Sequence, residues 1–151
     1  MAETKTIAVN RKAYHDYEVL ESLEAGIALM GSEIKSIRAG RVNIRDAYAK
    51  PEGGELWLVN AHIAAYEAAS RFGHEPNRPR KLLLHRRQIN ELAGMVTQKG
   101  LTLVPLKLYI KRGVAKLDLG VARGKRLHDK REAIARRDTE REIGRALRRR
   151  G

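Results

Sequence analysis

The sequence predicts a mainly β protein with short helices, a small antiparallel OB-like β-barrel over residues 1–122 followed by a basic tail over residues 123–151. Apolar residues alternate with polar ones in at least five segments, which is the pattern of half-buried strands. A change of phase within one segment indicates the bulges that bend strands into barrels. The last 29 residues contain twelve Lys/Arg and five Asp/Glu, so they carry +7 of the chain's +13. Such a segment buries too little apolar surface to fold alone.

The first long strand is predicted over residues 17–30. Its apolar residues lie at odd positions: Val19, Leu23, Ala25, Ile27 and Leu29. That period of two indicates one buried face, and Gly26 is the predicted bend. Glu21 lies on the apolar face and breaks the pattern.

A short helix is predicted next, over residues 31–40, with Ser32 as its N-cap and Gly40 at its end. Lys35 and Arg38 are three residues apart and share a helix face, and Arg41 lies just beyond it.

The middle of the chain predicts a hairpin, a loop and a second helix. Strands over residues 42–49 and 56–63 flank a polar Pro/Gly turn, and residues 69–80 form a long loop. Apolar residues then follow a helical period up to Gly100: Ile89, Leu92, Ala93 and Val96. In the next strand the apolar phase changes at Pro105, which predicts a bulge, and Leu117, Leu119 and Val121 form the returning strand.

Motifs for catalysis and metal binding are missing from the sequence. There is no cysteine, and the five histidines lack metal-ligand spacing. No nucleophile elbow or complete phosphate-binding loop occurs. We therefore predict a protein that is not an enzyme and uses no metal or cofactor. No apolar run approaches the ~18 residues of a membrane helix, so we expect a soluble, cytoplasmic monomer without a membrane partner.

The charge pattern indicates a polyanion as partner. The pI is near 10.4, and basic residues cluster around residues 10–12, 35–41 and 78–87. Any single one could be an ordinary surface charge, but together they favour an RNA-binding surface. The aromatics are scattered, so charge and shape are expected to dominate over base stacking.

The tail is not a uniform basic run. Ile143 and Leu147 keep helical spacing, and acidic residues interrupt the arginines. The tail is therefore predicted to be disordered when free and helical once phosphates neutralise its arginines. The alternative is a solubility tail or a nonspecific electrostatic anchor.

Several blocks of sequence carry a family resemblance. They are residues 10–17 (NRKAYHDY), 24–27 (EAGI), 31–38 (GSEIKSIR), 60–63 (NAHI), 80–85 (RKLLLH), 99–106 (KGLTLVPL), 124–126 (GKR) and 128–131 (HDKR). In this order they make the chain resemble the small protein B family, the SsrA-binding (transfer-messenger RNA-binding) proteins of bacteria.

The resemblance implies a function and its partners. Family members bind the tRNA-like domain of transfer-messenger RNA and bring it to stalled ribosomes for trans-translation. Their partners would be that RNA and both ribosomal subunits, with elongation factor Tu and alanyl-tRNA synthetase engaged through the RNA. The tail would occupy the empty mRNA channel and the decoding centre.

The resemblance and the charge pattern together predict three groups of site residues. The group facing transfer-messenger RNA is Asn10, Arg11, Lys12, His15, Glu24, Lys35, Arg38, Arg41 and Leu83. The group at the decoding centre is Gly124, Lys125, Arg126, His128, Asp129, Lys130 and Arg131. The distal tail helix would use Arg136, Arg137, Ile143 and Leu147. Without the resemblance, Glu24 would be interpreted as a solvated strand residue and Leu83 as core.

Two other functions stay open at this point. A ribosomal or ribosome-assembly protein with a basic extension would bind RNA without preferring a tRNA-like fold. An RNA-modifying enzyme would need a catalytic group that the sequence does not offer.

Overall fold

The structure is a computed structural model that describes residues 4–65 and 73–125. In chain order its elements are β1 (Thr4–Val9), α1 (Arg11–Asp16), β2 (Tyr17–Ile27), α2 (Gly31–Arg38), β3 (Val42–Asn43), β4 (Tyr48–Glu52), β5 (Glu55–Val59), β6 (His62–Ile63), β7 (Arg80–Leu83), α3 (Arg86–Thr97), β8 (Thr102–Lys111) and β9 (Val114–Gly124).

Six strands close into an antiparallel barrel. The order is β8-β4-β5-β7-β2-β9, and β9 pairs back with β8 to complete the ring. β1 adds to the second half of β8, and β3 and β6 form a separate two-stranded ladder. The predicted small antiparallel barrel with short helices is therefore confirmed.

A bulge in β2 explains the residue that broke the sequence pattern. The register of β2 against β9 shifts between Val19 and Glu21. Tyr17 and Val19 consequently pack in a small cluster around Ala13, whereas Leu23 packs against the main core. The prediction that all odd positions share one face is therefore wrong. The bulge inserts one extra residue into β2, so odd-numbered residues before it and after it face opposite sides of the sheet.

The predicted bulge in β8 is confirmed, since the register against β9 shifts between Pro105 and Lys107. Leu103 and Leu108 lie in the main core, but Leu106 lies in the small cluster with Ala13. Leu106 also packs over Gly120, where an added Cβ would be only 2.8 Å from Leu106 Cδ1. Gly120 thus makes room for the Leu106 side chain against β9.

The predicted hairpin is present but interrupted. β4 and β5 meet at Gly53 and Gly54, whose φ angles of +62° and +79° suit a tight hairpin turn. Residues 44–47 and 60–61 leave the strand path, so the outer parts pair separately as β3 and β6. The second predicted helix corresponds to α3, which buries Ile89 and Leu92.

Three local features differ from the sequence prediction. β1 and α1 were not predicted, because α1 has six residues and buries only Ala13. Ser32 does not cap α2: the N-cap is Met30, whose N–H donates to Glu33 Oε1 at 2.8 Å. β9 continues to Gly124 and the Lys125 N–H donates to Asp16 O at 3.0 Å, so the barrel extends past the predicted boundary at residue 122.

A buried ion-pair cluster ties α2 to β7. Glu33 and Arg80 are both 0% exposed. Glu33 Oε2 accepts from Arg80 Nε at 2.8 Å and from Arg78 Nε at 2.9 Å. Arg80 also donates to the carbonyl oxygens of Ala61 (2.9 Å) and Pro76 (3.0 Å). Arg80 therefore belongs to the interior, and its assignment to a basic surface is wrong.

The charge state of Glu33 follows from these contacts. Burial alone would raise the pKa of Glu33, but the hydrogen bonds from Arg78, Met30 N–H and Arg80 outweigh it and lower the pKa. A folded-state pKa below that of the unfolded chain means that ionised Glu33 contributes stability above the unfolded value. This contribution is lost as the pH falls through the folded pKa.

We expect Glu33→Gln to lower the free energy of unfolding by about 3–5 kcal/mol at pH 7, because Arg80 would be left buried without its counter-charge. Urea unfolding followed by circular dichroism measures this. The control is Glu91→Gln, on the exposed side of α3, with an expected change within about 0.5 kcal/mol. The difference in free energy of unfolding between wild type and Glu33→Gln should shrink on acidification. A difference that stays constant down to pH 3 would contradict the conclusion that ionised Glu33 stabilises the fold.

Candidate nucleic-acid interface

A row of residues crosses the outer face of the barrel. Leu83 of β7 lies opposite Gly26 of β2, Gly26 lies opposite Lys116 of β9, and Lys116 lies opposite Tyr109 of β8. Residues opposite one another in neighbouring strands project on the same side of a sheet. We call these four residues, together with Glu24, the outer row.

Leu83 is the apolar member of the outer row. Its relative exposure is 51%, whereas the adjacent Leu82 is 1% exposed and lies in the core. The pattern-based interpretation of Leu83 as core is therefore wrong. An added Cβ at Gly26 would be 3.2 Å from Leu83 Cβ, so the glycine makes room for Leu83 to lie across β2.

Glu24 is held by hydrogen bonds from β8. The Tyr109 hydroxyl donates to Glu24 Oε2 at 2.5 Å, and Lys111 Nζ donates to the same oxygen at 3.4 Å. The Tyr109 hydrogen bond is the main cause that lowers the pKa of Glu24, with Lys111 and Lys116 adding to it. Burial and the same hydrogen bond raise the pKa of Tyr109, which stays a donor. An ionised, oriented carboxylate can accept a hydrogen bond from a base amino group.

The basic residues of α2 lie near the same end of the barrel. Arg38 Nη2 donates to Gly113 O at 3.3 Å, which sets the end of α2 against the β8–β9 turn. Lys35, Arg38 and Arg41 are all exposed. The structure thus brings cations of α2 to the end of the barrel where Lys111 contacts Glu24.

The remaining predicted residues of the RNA-binding group lie on or beside α1. α1 precedes β2 and α2 follows it, so the two groups lie at opposite ends of this 11-residue strand. Arg11 and His15 are exposed. Lys12 Nζ lies between Asp16 Oδ2 (3.3 Å) and Asp46 Oδ1 (3.4 Å). The predicted residues therefore form two groups.

Asn10 is buried, with a relative exposure of 1%. Its Nδ2 donates to Ile44 O at 3.0 Å and to Pro105 O at 2.9 Å, and its Oδ1 accepts from Ala13 N–H at 3.0 Å. Both donor hydrogens of the amide are thus engaged. In this structure Asn10 holds the start of α1 against the barrel, and its side chain is too buried to contact RNA without a local rearrangement.

Of the predicted tail residues, only two are described. Gly124 pairs with Tyr17, and Lys125 N–H donates to Asp16 O. The others lie outside the described residues: Arg126, His128, Asp129, Lys130, Arg131, Arg136, Arg137, Ile143 and Leu147.

Sequence reasoning missed Tyr109, Lys111 and Lys116, which surround Glu24. Tyr109 and Glu24 are 85 residues apart in the chain, and only the strand register brings them together. The one available signal is the alternation of β8, in which Tyr109 and Lys111 alternate with the apolar Leu108 and Ile110.

Within residues 4–65 and 73–125, no group of three or more His, Asp or Glu is arranged to hold a metal ion. No helix in those ranges is long and apolar enough to cross a bilayer.

The chain matches a protein family over most of its length. The family described as "SmpB protein" matches residues 7–149. The chain belongs to the SmpB protein family. The SmpB match includes both ends of β2 and almost all of the tail.

Relatives in this family agree with that assignment. The chain is 63% identical over 144 residues to an SsrA-binding protein of Carboxydothermus hydrogenoformans, covering 95% of this chain and 97% of the relative. It is 61% identical over 145 residues to an SsrA-binding protein of Chloroflexus aggregans, covering 95% and 92%.

A solved structure supports the fold as well. It is described as "tmRNA-SmpB: a journey to the center of the bacterial ribosome", is 52% identical to this chain and superposes with a TM-score of 0.69. The match covers 89% of this chain and 94% of the solved one.

Tyr109→Phe should raise the pKa of Glu24 toward its ordinary value, because it removes the hydrogen bond that lowers it most. A ¹³C NMR titration of the Glu24 carboxyl measures this. The control is Tyr48→Phe, because Tyr48 is exposed on β4 and contributes nothing to the pKa of Glu24. An unchanged Glu24 titration in Tyr109→Phe would contradict the hydrogen-bond assignment.

Proposed function

We propose that this protein binds the tRNA-like domain of transfer-messenger RNA and delivers it to stalled ribosomes for trans-translation. The observation that carries the proposal is membership of the SmpB family over residues 7–149, in which relatives are described as SsrA-binding proteins. The outer row supplies the chemistry that such binding needs.

Four side chains of the outer row, together with Lys111, have distinct parts in this proposal. Lys116 and Lys111 neutralise phosphates, which gives affinity without reading sequence. Glu24 accepts from the amino edge of an exposed base, and the Tyr109 hydroxyl holds the carboxylate in position. Leu83 covers an apolar patch of the nucleic acid, such as a sugar or base face.

The tail completes the function on the ribosome. Residues 126–151 would enter the empty mRNA channel and become helical when phosphates neutralise their arginines. The protein acts as a monomer in the cytoplasm, and elongation factor Tu and alanyl-tRNA synthetase act on the RNA it carries. The barrel recognises the RNA and the tail recognises the vacant ribosome.

The test of RNA recognition is binding to a fluorescein-labelled tRNA-like domain, competed with the unlabelled domain or with ordinary tRNA. Salt must be held near 150 mM, because electrostatic affinity falls by a factor of ~1,000 or more between dilute and physiological salt. We expect the unlabelled tRNA-like domain to compete far better than tRNA. Equal competition would contradict the proposal and favour a ribosomal or assembly role.

Lys116→Ala should weaken binding of the tRNA-like domain and lower the slope of log K against log salt by about 1, as for one lost phosphate contact. Titrations at four salt concentrations give the slope. Lys99→Ala, an exposed lysine between α3 and β8, is the matched control and should keep the wild-type slope. If the two variants have the same slope of log K against log salt, Lys116 does not contact an RNA phosphate.

Truncation after Lys125 should leave binding of the tRNA-like domain within about twofold of wild type but abolish tagging on stalled ribosomes. This cut keeps the β9 pairing to Tyr17 and the Lys125 N–H bond to Asp16. The readout is peptide tagging in a reconstituted translation system that is programmed with an mRNA lacking a stop codon. Tagging by the truncated protein would exclude the tail mechanism.

A further inference from the structure

A second patch of the outer surface contains the only tryptophan of the chain. Trp57 of β5 lies opposite Lys50 of β4 and opposite Lys81 of β7. The three side chains therefore project on the same side of the sheet, with directly opposed Cβ atoms about 5 Å apart. We call them the tryptophan patch.

The tryptophan patch continues the outer row. Lys81 and Leu83 are two residues apart on β7, so they share a face and lie about 7 Å from one another. A nucleic acid strand that covers Leu83 therefore reaches Trp57 within the span of one or two nucleotides. The scattered aromatics of the sequence thus supply one ring at the edge of the predicted interface.

Trp57 is fixed in place and partly exposed. Its Nε1–H donates to Glu52 O at 3.2 Å, so the polar edge of the indole already has its partner. What the side chain offers a ligand is its apolar face. Lys50 Nζ lies 3.4 Å from Glu52 Oε1, but its side chain is 48% exposed, and such surface pairs contribute little.

A π-face between two ammonium groups matches the chemistry of a nucleotide. Base stacking on an aromatic side chain contributes to binding whatever the base, and flanking cations neutralise the phosphates on either side. A basic protein partner would be repelled by the two lysines, so a nucleic acid is the favoured ligand.

We propose that Trp57 stacks on an unpaired base of the bound RNA while Lys50 and Lys81 contact its flanking phosphates. This inference rests on the proposed function, since it adds a stacking contact to the same RNA complex. It adds a requirement of its own, namely that the base at this second position is unpaired, so that its face is open to the indole.

Tryptophan fluorescence tests the stacking directly in the wild-type protein, because Trp57 is the sole source of indole emission. The tRNA-like domain is added in steps, and anisotropy of a labelled copy of the RNA gives the bound fraction in parallel. We expect Trp57 emission to be quenched in proportion to that bound fraction. The same titration with poly-glutamate should leave the emission unchanged.

A set of variants measures the contribution of the ring. Trp57→Leu should weaken binding roughly 5- to 150-fold, the range for one stacked base, whereas Trp57→Phe should retain most of the affinity. Gln98→Leu is the control, since Gln98 is exposed at the end of α3, away from both groups of predicted RNA-binding residues, and it should bind as wild type. Circular dichroism verifies that each variant is folded.

The outcomes separate the two proposals. If the RNA binds by anisotropy while Trp57 emission stays constant at saturation, stacking is overturned and the proposed function stands. If poly-glutamate quenches Trp57 as RNA does, the patch belongs to an acidic protein partner and the inference is overturned. If the wild-type protein does not bind the tRNA-like domain at all, the proposed function and this inference fall together.

Discussion

The buried pair of Glu33 and Arg80 is the constraint on which the functional surface depends. A charged pair removed from water is tolerated only when its remaining hydrogen-bonding groups are satisfied. Here Glu33 also accepts from Met30 N–H at the start of α2, and Arg80 also donates to carbonyls of the 60–63 and 73–79 segments. One cluster therefore fixes the start of α2, β7 and two connecting segments relative to one another.

The two bulges add a second constraint. At its bulge, each of β2 and β8 changes which of its faces is buried. At one end the two strands therefore contribute to the main barrel core, and at the other end they contribute to the small cluster under α1. As a result, β2 carries Glu24 on the outer face at one end and joins α1 at the other. The two groups of predicted RNA-binding residues are separated because one continuous strand spans the distance between them.

Residue patterns predicted the barrel, the hairpin and α3, because alternation and helical period are local signals. The phase change at Pro105 could also be recognised in the sequence. The bulge near Glu21 could not, because apolar residues occupy odd positions on both sides of it although the buried face changes.

Arg80 could not be assigned to the interior, since nothing local distinguishes a buried arginine from a surface one. Leu83 sits in a run of three leucines, and only the strand register shows which one faces out. Glu24 was predicted through family resemblance, but its partner Tyr109 depends on tertiary pairing.

We expect the outer face of β2, β7 and β9 to contact the tRNA-like domain. Amide chemical-shift mapping of ¹⁵N-labelled protein with unlabelled RNA tests it most directly. Perturbations should cluster at outward-facing positions of these strands and at the end of α2, while α3 is unaffected. Perturbations confined to α1 and the neighbouring β3, with the outer row unchanged, would contradict it.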